Sequence, residues 1–233
     1  MPIASYDTRR GEVEAYFDRT AVDAWARLTS EAPVGRIRQS VRDGRNAMRA
    51  TLLGWLPPDL DGQRLLDAGC GPGQLSVEAV RRGASVVGVD LSPTLIALAC
   101  ERLAPDVDPA RLSFRVGDML EPTLGDFDHV VSMDALIHYA MPDAVDALGQ
   151  WAARTRKTIA FTFAPRTRAL AVMHAAGRIF PSSNRAPAII PVAEDALVEA
   201  IKTAPALRDW RVGRTQRVAA GFYTSQALEL VRR

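Results

Sequence analysis

Cysteine is nearly absent: Cys70 and Cys100 are the two among 233 residues. Two thiols cannot build the disulfide framework of a small secreted domain, so a reducing, cytoplasmic setting is expected. Lysine is as scarce, with Lys157 and Lys202 alone beside many arginines. No run of about 18 apolar residues occurs, so no transmembrane helix is expected. The first residues, Met1-Pro2-Ile3-Ala4-Ser5-Tyr6-Asp7, lack the apolar core of a signal peptide. Strong charge of one sign is missing too. The formal net charge of +2 argues against a general nucleic-acid binder. There is no internal repeat and no low-complexity tract. What remains is ordinary globular material, 48% hydrophobic and 24% charged. That is enough for one large α/β domain with additions.

Two helices are expected first. Residues 9 to 29 place Val13, Phe17, Ala21, Ala24 and Leu28 near helical spacing, and residues 34 to 56 end at Pro57-Pro58. Together, as residues 1–60, they read as an N-terminal helical cap. From residue 64 strands and helices alternate. Strands are expected at 64–68, 85–89, 111–116, 127–132 and 158–163. Helices are expected at 73–82, from Ser92-Pro93 to about 103, and at 142–153. Serine before proline is a good N-cap and N1 pair. The pattern implies a mostly parallel sheet covered on both faces. A helix at 192–203 and two strands, about 207–218 and 221–231, follow. The last two read as an antiparallel hairpin, with Gly213 and Gly221 at bulges or turns. The expected fold is therefore a Rossmann-like α/β domain over residues 61–233, seven-stranded, with a proline-rich insertion at about 165–191. A parallel sheet ending in such a hairpin suits a class I methyltransferase better than a dehydrogenase.

The first strand runs into Asp67-Ala68-Gly69-Cys70-Gly71-Pro72-Gly73. A glycine-rich turn before a helix lets a ligand approach bare amides at a positive helix N-terminus. Dinucleotide binding needs G-x-G-x-x-G, and Gln74 stands where the last glycine would be. The acids Asp67, Asp90 and Asp118, with Ser132 to Asp134, fall at successive strand ends, where open α/β sheets bind ligands. Helix capping or turn formation would explain any one of them alone. Their common register points instead to S-adenosylmethionine (SAM), which carries a carboxylate, an ammonium group, a ribose and an adenine. In that reading Gly69, Gly71 and Gly73 meet the methionyl part and Asp90 takes the ribose hydroxyls. Asp118 takes the adenine amino group, between Leu91 and Met119. Cys70 reads as a small turn residue rather than a nucleophile.

The methyl acceptor should meet residues just after strand four and from the helical additions. His138, in Asp134-Ala135-Leu136-Ile137-His138-Tyr139, is a candidate base, donor or ligand to a substrate metal. His129 lies within strand four and reads as structural; His174 stays open. Tyr16 is either an amphipathic anchor on the first helix or a site residue. Arg185 and Tyr139 are the expected substrate contacts; a rigid loop would aim the Arg185 guanidinium at a carboxylate. The Arg154-Thr155-Arg156-Lys157 cluster is expected to complement a helix C-terminus.

Several segments together resemble the magnesium protoporphyrin IX O-methyltransferases of bacteriochlorophyll biosynthesis, nearly end to end. They are Tyr16-Phe17-Asp18-Arg19-Thr20-Ala21, Trp25-Ala26-Arg27-Leu28, Asp134 to Tyr139, Phe163-Ala164-Pro165, Phe180-Pro181, Arg185-Ala186-Pro187 and Gly221-Phe222-Tyr223-Thr224-Ser225. Gly44-Arg45-Asn46 departs from the family's pattern. The resemblance implies methyl transfer from SAM to a propionate of Mg-protoporphyrin IX, with Tyr16 and His138 as catalytic residues. No protein-bound metal is implied, since the magnesium belongs to the substrate. It further implies contact with the large porphyrin-binding subunit of magnesium chelatase and peripheral work at photosynthetic membranes. The alternative readings are a quinone or phenol O-methyltransferase, a nucleic-acid methyltransferase, and a non-catalytic SAM-binding partner of the chelatase. Ser132-Met133-Asp134-Ala135, in place of an aromatic-proline motif, speaks against nucleic acid.

Overall fold

The computed structural model describes residues 6–19, 33–166 and 188–233. The chain forms α1 (Tyr6–Arg19), α2 (Arg36–Trp55), β1 (Arg64–Ala68), α3 (Gln74–Arg81), β2 (Ser85–Asp90), α4 (Pro93–Glu101) and β3 (Leu112–Val116). Then come β4 (Phe127–Ser132), α5 (Met141–Ala152), β5 (Thr155–Phe163), α6 (Glu194–Thr203), β6 (Trp210–Ala220) and β7 (Tyr223–Arg232). The seven strands are ordered β3-β2-β1-β4-β5-β7-β6. β1 to β5 pair in parallel, while β7 runs antiparallel to both β5 and β6. The order reverses between β1 and β4, which opens a crevice at their carboxyl ends.

The central strands are buried on both faces, so successive residues serve different layers. Leu65 packs with Met48, Leu52 and Leu53 of α2 and Leu75 and Ala79 of α3. Leu66 packs with Leu148 and Trp151 of α5 and Leu197 and Ile201 of α6. α2 is thus one of the layers covering the sheet. Gly44 lets it come close: a Cβ there would lie 2.5 Å from the Tyr223 ring. Ser92 caps α4 as expected, accepting from the Leu95 amide at 3.2 Å. The ladder between β6 and β7 shifts register between Val212 and Thr215, around Gly213, and the hairpin turns at Gly221 (φ 56°).

β5 begins three residues earlier than its apolar run suggests, and the basic cluster is not a helix complement. Thr155 to Lys157 already belong to the strand, past an irregularity opposite Phe127 and His129. Arg154 turns back to the loop after β3, donating to the Glu121 carbonyl and, at 2.9 Å, to the Met119 carbonyl. The Trp151 indole donates to the same Met119 oxygen at 3.1 Å. These bonds fix the turn that carries Asp118 and Met119.

His129 is structural, as expected. Its Nδ1 lies 2.6 Å from Thr158 Oγ1 and its Nε2 2.7 Å from Gln63 Oε1. Burial pushes its pKa from 6.5 down to about 4. Between those values the unfolded chain binds a proton that the folded chain refuses, so this group's contribution to stability falls as pH falls. Replacing His129 by Gln is expected to lower the stability gained between pH 4.5 and pH 7. The ceiling is about 1.4 kcal/mol per pH unit. Urea denaturation at the two pH values checks this; an unchanged difference would contradict it.

Candidate functional site

A cleft opens at the carboxyl ends of β1, β2, β3 and β4, where open α/β sheets bind ligands. Its floor is the glycine loop. The Gly69 and Cys70 amides both donate to the Val89 carbonyl, at 2.8 and 3.0 Å, which ties the loop to the end of β2. Gly69, Gly71 and Gly73 have φ of 78°, 52° and 75°, a region where a side chain is strained. At Gly69 space is lacking as well, since a Cβ would sit 2.6 Å from the Ala135 Cβ.

Asp90 is half-buried at the cavity, and its desolvation raises its pKa. Its oxygens accept from the Gly71 amide at 2.8 Å and the Ser92 amide at 3.0 Å. A carboxylate has about four acceptor sites, so two are left for a vicinal diol such as a ribose. Leu91, Leu95 and Met119 supply apolar wall. Together with the loop backbone, which Gly69 and Gly71 leave open to close approach, this set fits the donor inferred from the sequence.

Asp118 also lines the cavity, but it is already engaged. It accepts from the Leu120 amide at 2.8 Å, the Tyr6 hydroxyl at 2.9 Å and Arg10 at 2.7 Å. Burial holds the Tyr6 hydroxyl protonated and therefore a donor. The Tyr6 ring stacks on Tyr139 with centroids 4.8 Å apart. At its far end α1 is held by Asp18, which accepts from Thr94 Oγ1 at 2.7 Å. α1 therefore covers the end of the cavity where adenine is expected. Tyr6 and Arg10 were missed from the sequence, because nothing local links residues 6 and 10 to residue 118.

Three expected cofactor residues stand behind the wall rather than in it. Asp67 is fully buried and accepts from the Ser76 hydroxyl at 2.6 Å; burial pushes its pKa up to about 7. Ser132 Oγ donates to the Ala68 carbonyl at 2.9 Å, stitching β4 to β1. Gly73 is the N-cap of α3, and a Cβ there would lie 2.4 Å from the Phe114 ring. Each shapes the loop without lining the cavity.

On the acceptor side, His138 and Tyr139 both line the cavity and are both buried. His138 ends a short 3-10 turn, Leu136–His138. That turn is braced from residue 190, whose amide donates to the Ile137 carbonyl at 2.8 Å. Nearby, Pro165 and Val192 form a parallel bridge. The described ends of the proline-rich insertion thus meet beside His138. Arg185 and His174, inside it, lie outside the described residues, as does the predicted continuation of the first helix to residue 29. Tyr16 is partly buried on α1, where burial raises its pKa, but it is not part of the cavity wall. Val13 of the same helix is.

Asp134, which ends the β4 turn, is a further cavity residue and has φ 58°, unusual for a side chain. Its carboxylate accepts from Arg45 at 2.5 Å, the Tyr223 hydroxyl at 3.1 Å and Ser225 Oγ at 3.1 Å. Its amide donates to Thr162 Oγ1 at 2.7 Å. Arg45 itself lines the cavity.

Residues 132–232 match the family model described as magnesium-protoporphyrin IX methyltransferase C-terminus, and residues 65–158 match a methyltransferase domain. The chain is 28% identical to a magnesium-protoporphyrin O-methyltransferase of Synechocystis, over 94% of this chain and 95% of that one. The crystal structure of magnesium protoporphyrin IX methyltransferase from Synechocystis PCC 6803, with bound SAH, superposes with a TM-score of 0.82 at 27% identity. That match covers 95% of this chain and 98% of that one. The Rhodobacter capsulatus magnesium-protoporphyrin O-methyltransferase is 48% identical over 98% of this chain and 99% of its own. With likeness running from end to end in both sequence and fold, the chain belongs to the magnesium-protoporphyrin O-methyltransferase family.

Proposed function

We propose that this chain transfers the methyl group of SAM to a propionate carboxylate of Mg-protoporphyrin IX. The products are the monomethyl ester and S-adenosylhomocysteine. The carrying observation is the 48% identity to the Rhodobacter capsulatus enzyme across 98% of the chain. In the reaction a carboxylate oxygen forms a bond to the methyl carbon as the carbon–sulfur bond breaks, and the electron pair leaves on the sulfur. A propionate has an ordinary carboxyl pKa of roughly 4 to 5 and is ionised at neutral pH. No strong base is needed. The residues have to hold the oxygen in line with the methyl group and keep water out.

The glycine loop, Asp90 and Asp118 take the donor. His138 orients the acceptor carboxylate or touches the substrate magnesium, with Tyr139 beside it. Tyr16 and Arg185 are the further acceptor residues that the family resemblance implies; Tyr16 stands on α1 outside the cavity wall. The test is incubation with labelled SAM and each of four acceptors: Mg-protoporphyrin IX, metal-free protoporphyrin, a phenol, and RNA. The expected result is an ester on the magnesium porphyrin. Methylation of the phenol or RNA instead, or of none, would overturn the reading. Contact with the large subunit of magnesium chelatase, and adsorption to photosynthetic membranes, belong to the same proposal and rest on the family resemblance. No described helix is long and apolar enough to cross a membrane. In the same assay the chelatase subunit should raise the rate, and the chain should float with liposomes.

A further inference from the structure

Charge in the cavity wall is one-sided. Asp90, Asp118 and Asp134 line it, and among the described lining residues Arg45 is the one lysine or arginine. Arg45 is well buried for an arginine, its side chain 16% exposed. It is fixed from below by Asp134, whose carboxylate also takes Tyr223 and Ser225 of β7, and Thr162 Oγ1 of β5 at 3.3 Å. Donors from three elements plus a positive-φ backbone leave that carboxylate one orientation. A strained residue held this firmly is a sign of function. Asp134 is thus a positioning residue, and the group it positions is a guanidinium at the cavity.

The neighbours of Arg45 say which end of the cavity it serves. One turn further along α2, Arg49 donates to Gln74 Oε1 at 3.1 Å. Gln74 opens α3, directly after the glycine loop. This face of α2 therefore runs along the loop, whereas Tyr6, Asp118 and Met119 mark the adenine end. A ligand lying from Asp118 to the loop would bring its far end to Arg45. Planar guanidinium groups match carboxylates, and the match is strongest where water is excluded.

We propose that Arg45, positioned by Asp134, receives the methionyl carboxylate of SAM. This rests on the donor half of the proposed function and is independent of the acceptor. Calorimetry with S-adenosylhomocysteine and 5′-methylthioadenosine tests it, since the second keeps the nucleoside and thioether but lacks the amino-acid end. The unaltered chain should prefer S-adenosylhomocysteine. Arg45→Gln should weaken that ligand about tenfold to a hundredfold, the value of one charged hydrogen bond. Its affinity for methylthioadenosine should stay within about twofold, so that the preference collapses. Arg45→Lys should restore part of it.

Arg45→Gln leaves a buried Asp134 charge, which endangers folding. The double variant Arg45→Gln/Asp134→Asn removes both charges and should lose the same preference. An equal loss for both ligands overturns the proposal. So does an unchanged preference with a raised KM for the porphyrin, which would assign Arg45 to the acceptor carboxylate.

Discussion

Replacing His138 by alanine is expected to lower kcat about a hundredfold while leaving S-adenosylhomocysteine affinity within about twofold. The magnitude is that of a misplaced reactant rather than a lost base. His138 is buried in the cavity wall, at the end of a 3-10 turn braced from residue 190. The contacts proposed for the donor lie elsewhere, on the loop and at the ends of β2 and β3. Removing the ring should therefore free the acceptor carboxylate to wander and let water in, with the nucleoside still held. His138→Gln returns a side-chain donor and should recover part of the rate. Steady-state kinetics and calorimetry on the same preparations decide. Matching losses in rate and in S-adenosylhomocysteine binding would mean that the turn, not the ring, is what matters.

The second large effect is expected at Gly69. Alanine there faces two costs. The first is the positive φ of 78°, worth about 1–2 kcal/mol for a residue with a Cβ. The second is the approach to Ala135 at 2.6 Å, backbone-anchored and unable to swing away. Gly62 isolates the first cost, since its φ is 69° and nothing lies within 4 Å of a Cβ built on it. Gly62→Ala should therefore lower the melting temperature by a few degrees and leave ligand binding alone. Gly69→Ala should lower it further, and S-adenosylhomocysteine affinity should drop at least about tenfold as the loop amides shift. Ala135 follows Asp134, so the disturbance also reaches the β4 turn. Equal thermal losses in the two variants, with unchanged affinity, would show that the loop yields without harm.

The sheet was legible because its strands are short apolar runs punctuated by glycine and acid. Leu65-Leu66, Val86-Val87 and Val130-Val131 could hardly sit anywhere but a doubly covered sheet. The start of β5 was hidden because Arg156 and Lys157 are exposed at the strand's beginning, where no apolar signal marks it. The donor half of the site was legible for a local reason: Gly69, Gly71 and Asp90 lie in consecutive β–α units. Strand-end position alone does not say which way a side chain faces. Asp67 and Ser132 stand at strand ends yet turn into the core, to Ser76 and to the Ala68 carbonyl. Tyr6, Arg10 and Arg45 were invisible, because each meets an acid of the cavity wall from a helix far away in sequence. No spacing rule connects residue 45 to 134, although the pair meets at 2.5 Å.

Two buried groups in this fold exchange protons with water in opposite senses. Asp67 keeps its proton up to about pH 7 when folded, against 3.8 as a free side chain. His129 stays unprotonated down to about pH 4, against 6.5. Between roughly pH 4 and 6.5, folding takes up a proton at Asp67 and gives one off at His129. Stability falls with rising pH through the first and rises through the second. Each slope is about 1.4 kcal/mol per pH unit, so the two nearly cancel. The interior thus holds one neutral acid and one neutral base as an uncharged couple, and mild acidification passes this part of the core almost unnoticed.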